Sequence, residues 1–167
     1  MRRLAIALLL CGLWLAGCQP QSPQETETAR VVRVVSGQTV EVEFAGEVET
    51  VRLLGLDAPD LQQVPWGEAA KMALEADIGG KTVQLEFDLE TRDRFDRRLG
   101  YIWLDGTLIN ERAIARGHGL FASRPPNVKY DTRLQHARDR ARILGLGIWN
   151  PDDPLRQTPS EFRQQRR

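Results

Sequence analysis

Ten residues, Val51 to Asp60 (VRLLGLDAPD), place one guanidinium and two carboxylates at the end of an apolar run. Val and Leu bounded by Gly55 and Pro59 predict a buried strand that runs out into a turn. A rigid strand end would hold Arg52, Asp57 and Asp60 together, and a cation beside two anions is what metal-assisted work on a phosphate group needs. The same residues also read as a structural Arg52–Asp57 ion pair followed by an ordinary turn aspartate. A second group lies in Arg92 to Arg98 (RDRFDRR). Four guanidiniums around the ring of Phe95 combine phosphate clamping with a stacking surface for a base, although a charged hairpin tip has the same composition. His118, between two glycines, and His136, on a charged helix, are too isolated for metal-ligand spacing and read as surface or capping residues.

The elements that must position these groups follow from periodicity. Arg30 to Val35 is a strand with polar breaks, and Val40, Val42 and Phe44 alternate with Glu41 and Glu43 after a Ser36-Gly37-Gln38 turn. Ala45-Gly46 turns the chain into Val48 to Leu54, which completes an antiparallel meander. Gly67 to Ala76 is rich in helix formers, with Ala70, Ala73 and Leu74 able to face inward, and Gly79-Gly80 stops it. Lys81 to Asp88 and Leu99 to Leu104 are further strands. Leu108 to Arg116 is an amphipathic helix closed at Gly117, and Tyr130 to Leu144 is a last helix with Arg on its outer side. The expected fold is α+β, mainly β: a five-stranded barrel with three helices over about residues 29–150.

The amino terminus reads as a targeting segment. Met1-Arg2-Arg3 is a positive n-region, and Leu4 to Leu15 is apolar but too short for a stable span. Leu15-Ala16-Gly17-Cys18 resembles the lipobox of bacterial lipoproteins. Cleavage would remove residues 1–17 and leave Cys18 to carry a lipid, and Gln19 after it implies the outer membrane. A simple secretory signal with an incidental Cys is the alternative. With Cys11 removed and Cys18 acylated, the mature domain keeps no thiol for a disulfide, a metal or a nucleophile. Residues 18–28 read as a tether and 151–167 as a polar, basic, solvated tail whose Arg163 to Arg167 (RQQRR) end has some affinity for polyanions.

The chain carries 23 basic and 23 acidic residues, so losing Arg2 and Arg3 leaves a net charge of −2. Residues 30–60 hold three Arg against six acids, and residues 92–142 hold twelve Lys or Arg against six. A basic half facing an acidic pocket suits a polyanion held near a cation; an ordinary solvated surface is the alternative.

The order of elements, with V-R-L-L-G-L-D-A-P-D, D-R-F-D-R-R-L-G-Y, L-I-N-E and the closing G-I-W-N, resembles the staphylococcal-nuclease-like (thermonuclease) family. The resemblance implies an OB-fold barrel and calcium-dependent hydrolysis of DNA and RNA, single-stranded or denatured, by a monomer. It puts Arg52 and Arg97 in the places of two phosphate-clamping arginines and Asp57 in that of a calcium-binding Asp. The carbonyl of Ala58 and the side chain of Gln38 fall on the other metal-ligand positions. Asp60 stands where a Glu orients or deprotonates water, and Arg94 and Phe95 match residues that touch a terminal phosphate and a base. Trp149 matches a packing Trp.

Four departures bear on activity. The family's D-G-D-T turn is Ser36-Gly37-Gln38-Thr39, so one metal carboxylate is a neutral amide. Asp60 is one methylene shorter than Glu. Asp96 replaces a Gly, which suits a left-handed position. Ser123-Arg124-Pro125-Pro126 fills the loop where base-lining aromatics are expected. A nuclease is therefore weighed against a non-catalytic nucleic-acid-binding lipoprotein with the same barrel, and against a structural envelope lipoprotein with no salt-dependent DNA binding.

Overall fold

The computed structural model describes residues 26–166. The targeting segment, Cys18 and the tether up to residue 25 lie outside the described residues.

Among the described residues, eight strands and four α-helices occur in chain order. The long first strand β1 (Thr26–Ser36) has inward Val31 and Val34, and its pairing shifts register between Val31 and Arg33 and again between Val34 and Ser36. Bulges of this kind bend a strand and increase its twist. The bend lets one strand serve two neighbours. Thr26 to Arg30 pair with β5 (Thr82–Glu86), and Arg30 to Ser36 pair with β2 (Thr39–Phe44). β2 then pairs antiparallel with β3 (Glu47–Leu53), and β5 pairs antiparallel with β6 (Arg98–Leu104). The ring closes where β3 meets β6 in parallel, Val51 opposite Arg98 and Leu53 opposite Gly100.

This is the expected closed five-stranded barrel. Its interior is filled by Val31, Val40, Val42, Val51, Leu53, Leu85 and Leu99, all essentially without solvent contact, as inward alternation along each strand requires.

Helix α1 (Trp66–Ile78) packs on β1 and buries Ala70, Leu74 and Ile78 at helical spacing. Two-residue strand β7 (Thr107–Leu108) leads into α2 (Ile109–Ala115), which lies against α3 (Asp131–Ile143). The start of α3 is fastened to the barrel through Glu86. This buried carboxylate accepts from Trp103 Nε1 at 2.6 Å and Tyr130 Oη at 2.9 Å, and it pairs with Lys129. A buried charge so fully bonded is costly to disturb.

The structure corrects the expected element list in three places. β1 begins at Thr26, so the strand takes up the last residues assigned to the tether. A short pair, β4 (Leu56–Asp57) with β8 (Leu120–Phe121), follows β3 directly. A fourth helix, α4 (Pro159–Gln164), sits in the segment read as a solvated tail, so α3 is not the last helix. Helix and strand contents come out about equal, not mainly β.

Candidate active site

The site grows from the end of β3. Arg52 pairs with Thr39 on one side and Leu99 on the other, so its Cα is fixed at the parallel seam that closes the barrel. Gly55 turns the chain with a φ of 71°, and a Cβ there would lie 2.3 Å from Leu134 Cδ1. Glycine meets both demands, a left-handed backbone and room for α3. The turn delivers Asp57 on β4 back toward Arg52, with Arg52 Nη2 3.8 Å from Asp57 Oδ1.

The turn before β2 is equally constrained. A Cβ on Gly37 would lie 2.6 Å from Ala70 Cβ and 3.0 Å from Ala58 Cβ, so α1, the turn and residue 58 meet in contact. That contact sets Gln38 beside Ala58, whose backbone N–H donates to Gln38 Oε1 at 2.7 Å. Leu53 N–H donates to the Gln38 carbonyl at 2.9 Å, and Arg52 Nη1 reaches the same oxygen at 3.4 Å.

Arg52 is a strained cation. Its side chain is 14% exposed, and burial pushes its guanidinium down to about 10, with Asp57 opposing the fall and Arg97, Arg163 and Arg124 adding to it. Desolvation disfavours a charge, and like charges nearby disfavour it further.

Asp60 is held in a turn. Its Oδ1 accepts from Gln62 N–H at 3.0 Å, and its own N–H donates to Gln63 Oε1 at 2.9 Å.

The arginine loop divides in two. Arg97 is fixed by two hydrogen bonds that it donates to Asp93 Oδ2, from Nε at 2.9 Å and from Nη2 at 2.6 Å. The Asp93 side chain is 1% exposed. Burial works against its charge, yet Arg97 and the N–H groups of Phe95 and Arg97 hold its carboxyl below the usual range. Asp96 has φ 61°, the left-handed conformation anticipated for that position. Arg94 and Arg97 lie over the Phe95 ring at 4.7 and 5.4 Å, and that ring is 62% exposed. The other two guanidiniums are structural: Arg92 pairs with Glu49, and Arg98 with Glu27 and Glu49 while stacking on Phe44 and Phe87.

The same pairs dispose of the acidic half. Glu41 is bound to Arg33 and Glu49 to the loop, so the barrel wall, not a pocket, takes these carboxylates. Of the carboxylates expected in an acidic pocket, Asp57 alone lines the cleft with Arg52.

Two cations enter that sequence reading missed. A cleft of about 190 Å³ is lined by Arg52, Gly55, Asp57, Ser123, Arg124 and Arg163. Arg163 Nη2, on α4, donates to Asp57 Oδ1 at 2.7 Å across 106 residues of sequence. Only the clustering of Arg124 in the Ser-Arg-Pro-Pro loop could have pointed to that residue, and the basic run Arg163 to Arg167 suggested polyanions but not that Arg163 reaches Asp57. The packing Trp149 carries Arg142 over its ring at 5.2 Å. His118 donates its backbone N–H to Ala113 O at 2.9 Å, a cap on α2.

A calcium ion needs several oxygens, and charge among them sets affinity. Asp57 Oδ2 has no protein partner among the described residues, and Gln38 Oε1 retains a lone pair beyond the Ala58 bond. One carboxylate and one neutral amide fit a weakly held cation, and no group of three or more His, Cys, Asp or Glu residues suited to a metal occurs among the described residues.

Comparison with known proteins bears on the family to which this fold belongs. The family described as Staphylococcal nuclease homologue matches residues 50–151. Thermonuclease of Staphylococcus hyicus is 30% identical over 129 residues, covering 74% of this chain and 76% of the relative. Thermonuclease of Staphylococcus intermedius is 32% identical over 128 residues with the same coverage. Endonuclease YncB of Bacillus subtilis is 29% identical over 140 residues, covering 78% of this chain and 66% of the relative. A closed five-stranded barrel, the family match over residues 50–151 and likeness to these thermonucleases over about three quarters of the chain place it in the staphylococcal nuclease family.

Proposed function

We propose that the protein is a nuclease that hydrolyses phosphodiester bonds of DNA and RNA, single-stranded or denatured, as a monomer. The observation that carries this reading is the buried, poorly compensated guanidinium of Arg52 beside Asp57 at the barrel mouth. A cation in that setting gains from an anion more than an exposed one does, because little water competes.

Arg52 and Arg97 contact the equatorial phosphoryl oxygens, and their hold strengthens as charge builds there in the transition state. Asp60, with one carboxylate oxygen pinned by Gln62, uses the other to orient a water and accept its proton. The water oxygen bonds to phosphorus as the P–O5′ bond breaks, and the departing oxygen takes up a proton, leaving a 3′-phosphate and a 5′-hydroxyl. Arg94 and Phe95 offer a charged, stackable surface to the adjoining base. Calcium, when held by Asp57, Gln38 and the Ala58 carbonyl, supplies Lewis-acid polarisation of a phosphoryl oxygen.

The test incubates the full-length protein with denatured DNA and with RNA, in calcium and in chelator, with Arg97→Ala as the contamination control. Calcium-dependent cleavage lost in Arg97→Ala supports the nuclease; calcium-independent cleavage removes the metal role. One observation favours a second reading, a nucleic-acid-binding protein without chemistry: Gln38 Oε1 and Asp57 Oδ1 are both engaged by protein donors. Salt-sensitive binding without cleavage is its signature.

The envelope location belongs to the same proposal. A lipid on Cys18 would tether the domain to the outer membrane; labelled palmitate retained by Cys18→Ser protein would refute that anchor.

A further inference from the structure

The carboxyl-terminal segment is built onto the site. Leu155 N–H donates to Ile148 O at 2.9 Å, and Gln63 Nε2 donates to Gln157 O at 2.9 Å. The same buried Gln63 accepts from Asp60 N–H, so one side chain joins the tail to the catalytic turn. Thr158 and Glu161 form a reciprocal capping box that fixes the start of α4. These anchors bring the Arg163 guanidinium to Asp57, with its side chain still 39% exposed.

Arg124 arrives from the other side of the cleft. Asn127 N–H closes a turn on Arg124 O at 2.8 Å, and buried Asn127 bonds both the N–H and the C=O of Glu90 at 2.8 Å. The backbone of Arg124 is thus fixed while its guanidinium has no ion-pair partner among the described residues.

The cleft therefore gathers three guanidiniums, Arg52, Arg124 and Arg163, around the single carboxylate of Asp57. Three positive charges against one leave two in excess in a space of about 190 Å³. Were Arg163 only a counter-ion to Asp57, it would duplicate Arg52 and worsen the repulsion among the cations. An arrangement short of negative charge is completed by an anion.

We propose that Arg163, carried on the carboxyl-terminal helix, is with Arg124 a phosphate-contacting residue of this site, sharing with Arg52 the nucleic-acid phosphate group. Arg163 rests on Asp57 until a phosphate enters, then turns its fork to the phosphate oxygens. This assignment rests on the phosphodiester reading above, and Arg163 lies outside the residues 50–151 matched by the family.

The test measures binding of a fluorescein-labelled single-stranded oligonucleotide to the full-length protein in chelator, over a range of salt. Arg163→Ala, Arg163→Lys and Arg156→Ala are compared, the last removing an exposed charge from the same segment. Losing a charge-assisted contact is expected to weaken binding at least about tenfold. The slope of log affinity against log salt should fall by about 0.7 for the lost phosphate contact. Arg163→Lys should restore the slope but only part of the affinity, and Arg156→Ala should change neither. Of the α4 residues only Pro159 is buried, so melting curves of Arg163→Ala should match the parent.

Unchanged binding in Arg163→Ala overturns the proposal. Tighter binding, or a lower calcium requirement, also overturns it and makes Arg163 a latch over Asp57. Cleavage by the parent with no effect of Arg163→Ala leaves the nuclease standing without this inference. An Arg163-dependent loss of binding in a protein that does not cleave leaves the inference standing without the nuclease.

Discussion

Replacing Arg52 by methionine should stabilise the protein while abolishing its function. Burial holds this guanidinium near 10, well below the ordinary arginine range. At about 1.4 kcal/mol per pH unit, keeping it charged costs the fold about 3 kcal/mol, an order-of-magnitude figure. Little is lost in exchange. The Asp57 contact is 3.8 Å long, and Asp57 keeps Arg163 at 2.7 Å; the Gln38 carbonyl keeps Leu53 N–H. Setting about 1 kcal/mol against the lost ion pair and weak hydrogen bond, Arg52→Met should gain about 1–3 kcal/mol. In urea this appears as a higher midpoint at unchanged slope.

The pH dependence has a defined sign. The unfolded chain keeps its proton well above pH 10, so the cost is present in full below pH 10 and relieved only above it. The gap between variant and parent should therefore stay flat from pH 6 to 9. Added phosphate should stabilise the parent more than Arg52→Met. A variant less stable than its parent, with phosphate stabilising both alike, would refute the claim that Arg52 is a cation held in wait for an anion.

Three further outcomes follow from the geometry. Asn110→Ala should cost about 2–4 kcal/mol in chemical denaturation, because buried Asn110 bonds Ile102 N–H at 2.9 Å and Leu54 O at 2.8 Å and neither backbone group could reach water. Gly67→Ala should cut cleavage by about a hundredfold, since its Cβ would lie 2.0 Å from Asp60 O and must push aside the turn that holds the proposed base; single-turnover rates on denatured DNA check it. Burial, then Arg116, lowers the His118 pKa against the opposing pull of Asp77. Its contribution to stability is complete above about pH 6.5 and lost as pH falls through the folded value, so His118→Gln should flatten stability between about pH 7 and 5, read from urea midpoints.

Local pattern carried the barrel. Alternation of Val40, Val42 and Phe44 with glutamates, and the apolar runs at Val51 to Leu54 and Leu99 to Leu104, determined strands whose inward residues form the core. The spacing Arg52 to Asp57 needed only a strand end and one left-handed glycine to bring the two side chains together. The left-handed Asp96 was equally legible, because that conformation depends on the residue itself and its turn.

Charge partners were a different matter. Arg92, Arg94, Arg97 and Arg98 look alike in sequence, yet two are spent on Glu27 and Glu49 and two face Phe95. Which cation meets which carboxylate depends on strands that pair across the barrel, and composition does not contain that pairing. Arg163 is the clearest case. Nothing near it announces a site, and it reaches Asp57 only because Gln63, Ile148 and the Thr158 cap return the tail to the barrel mouth. Short-range periodicity fixes where a residue points on its own element; electrostatic contacts between segments 106 residues apart exist only once the chain has closed.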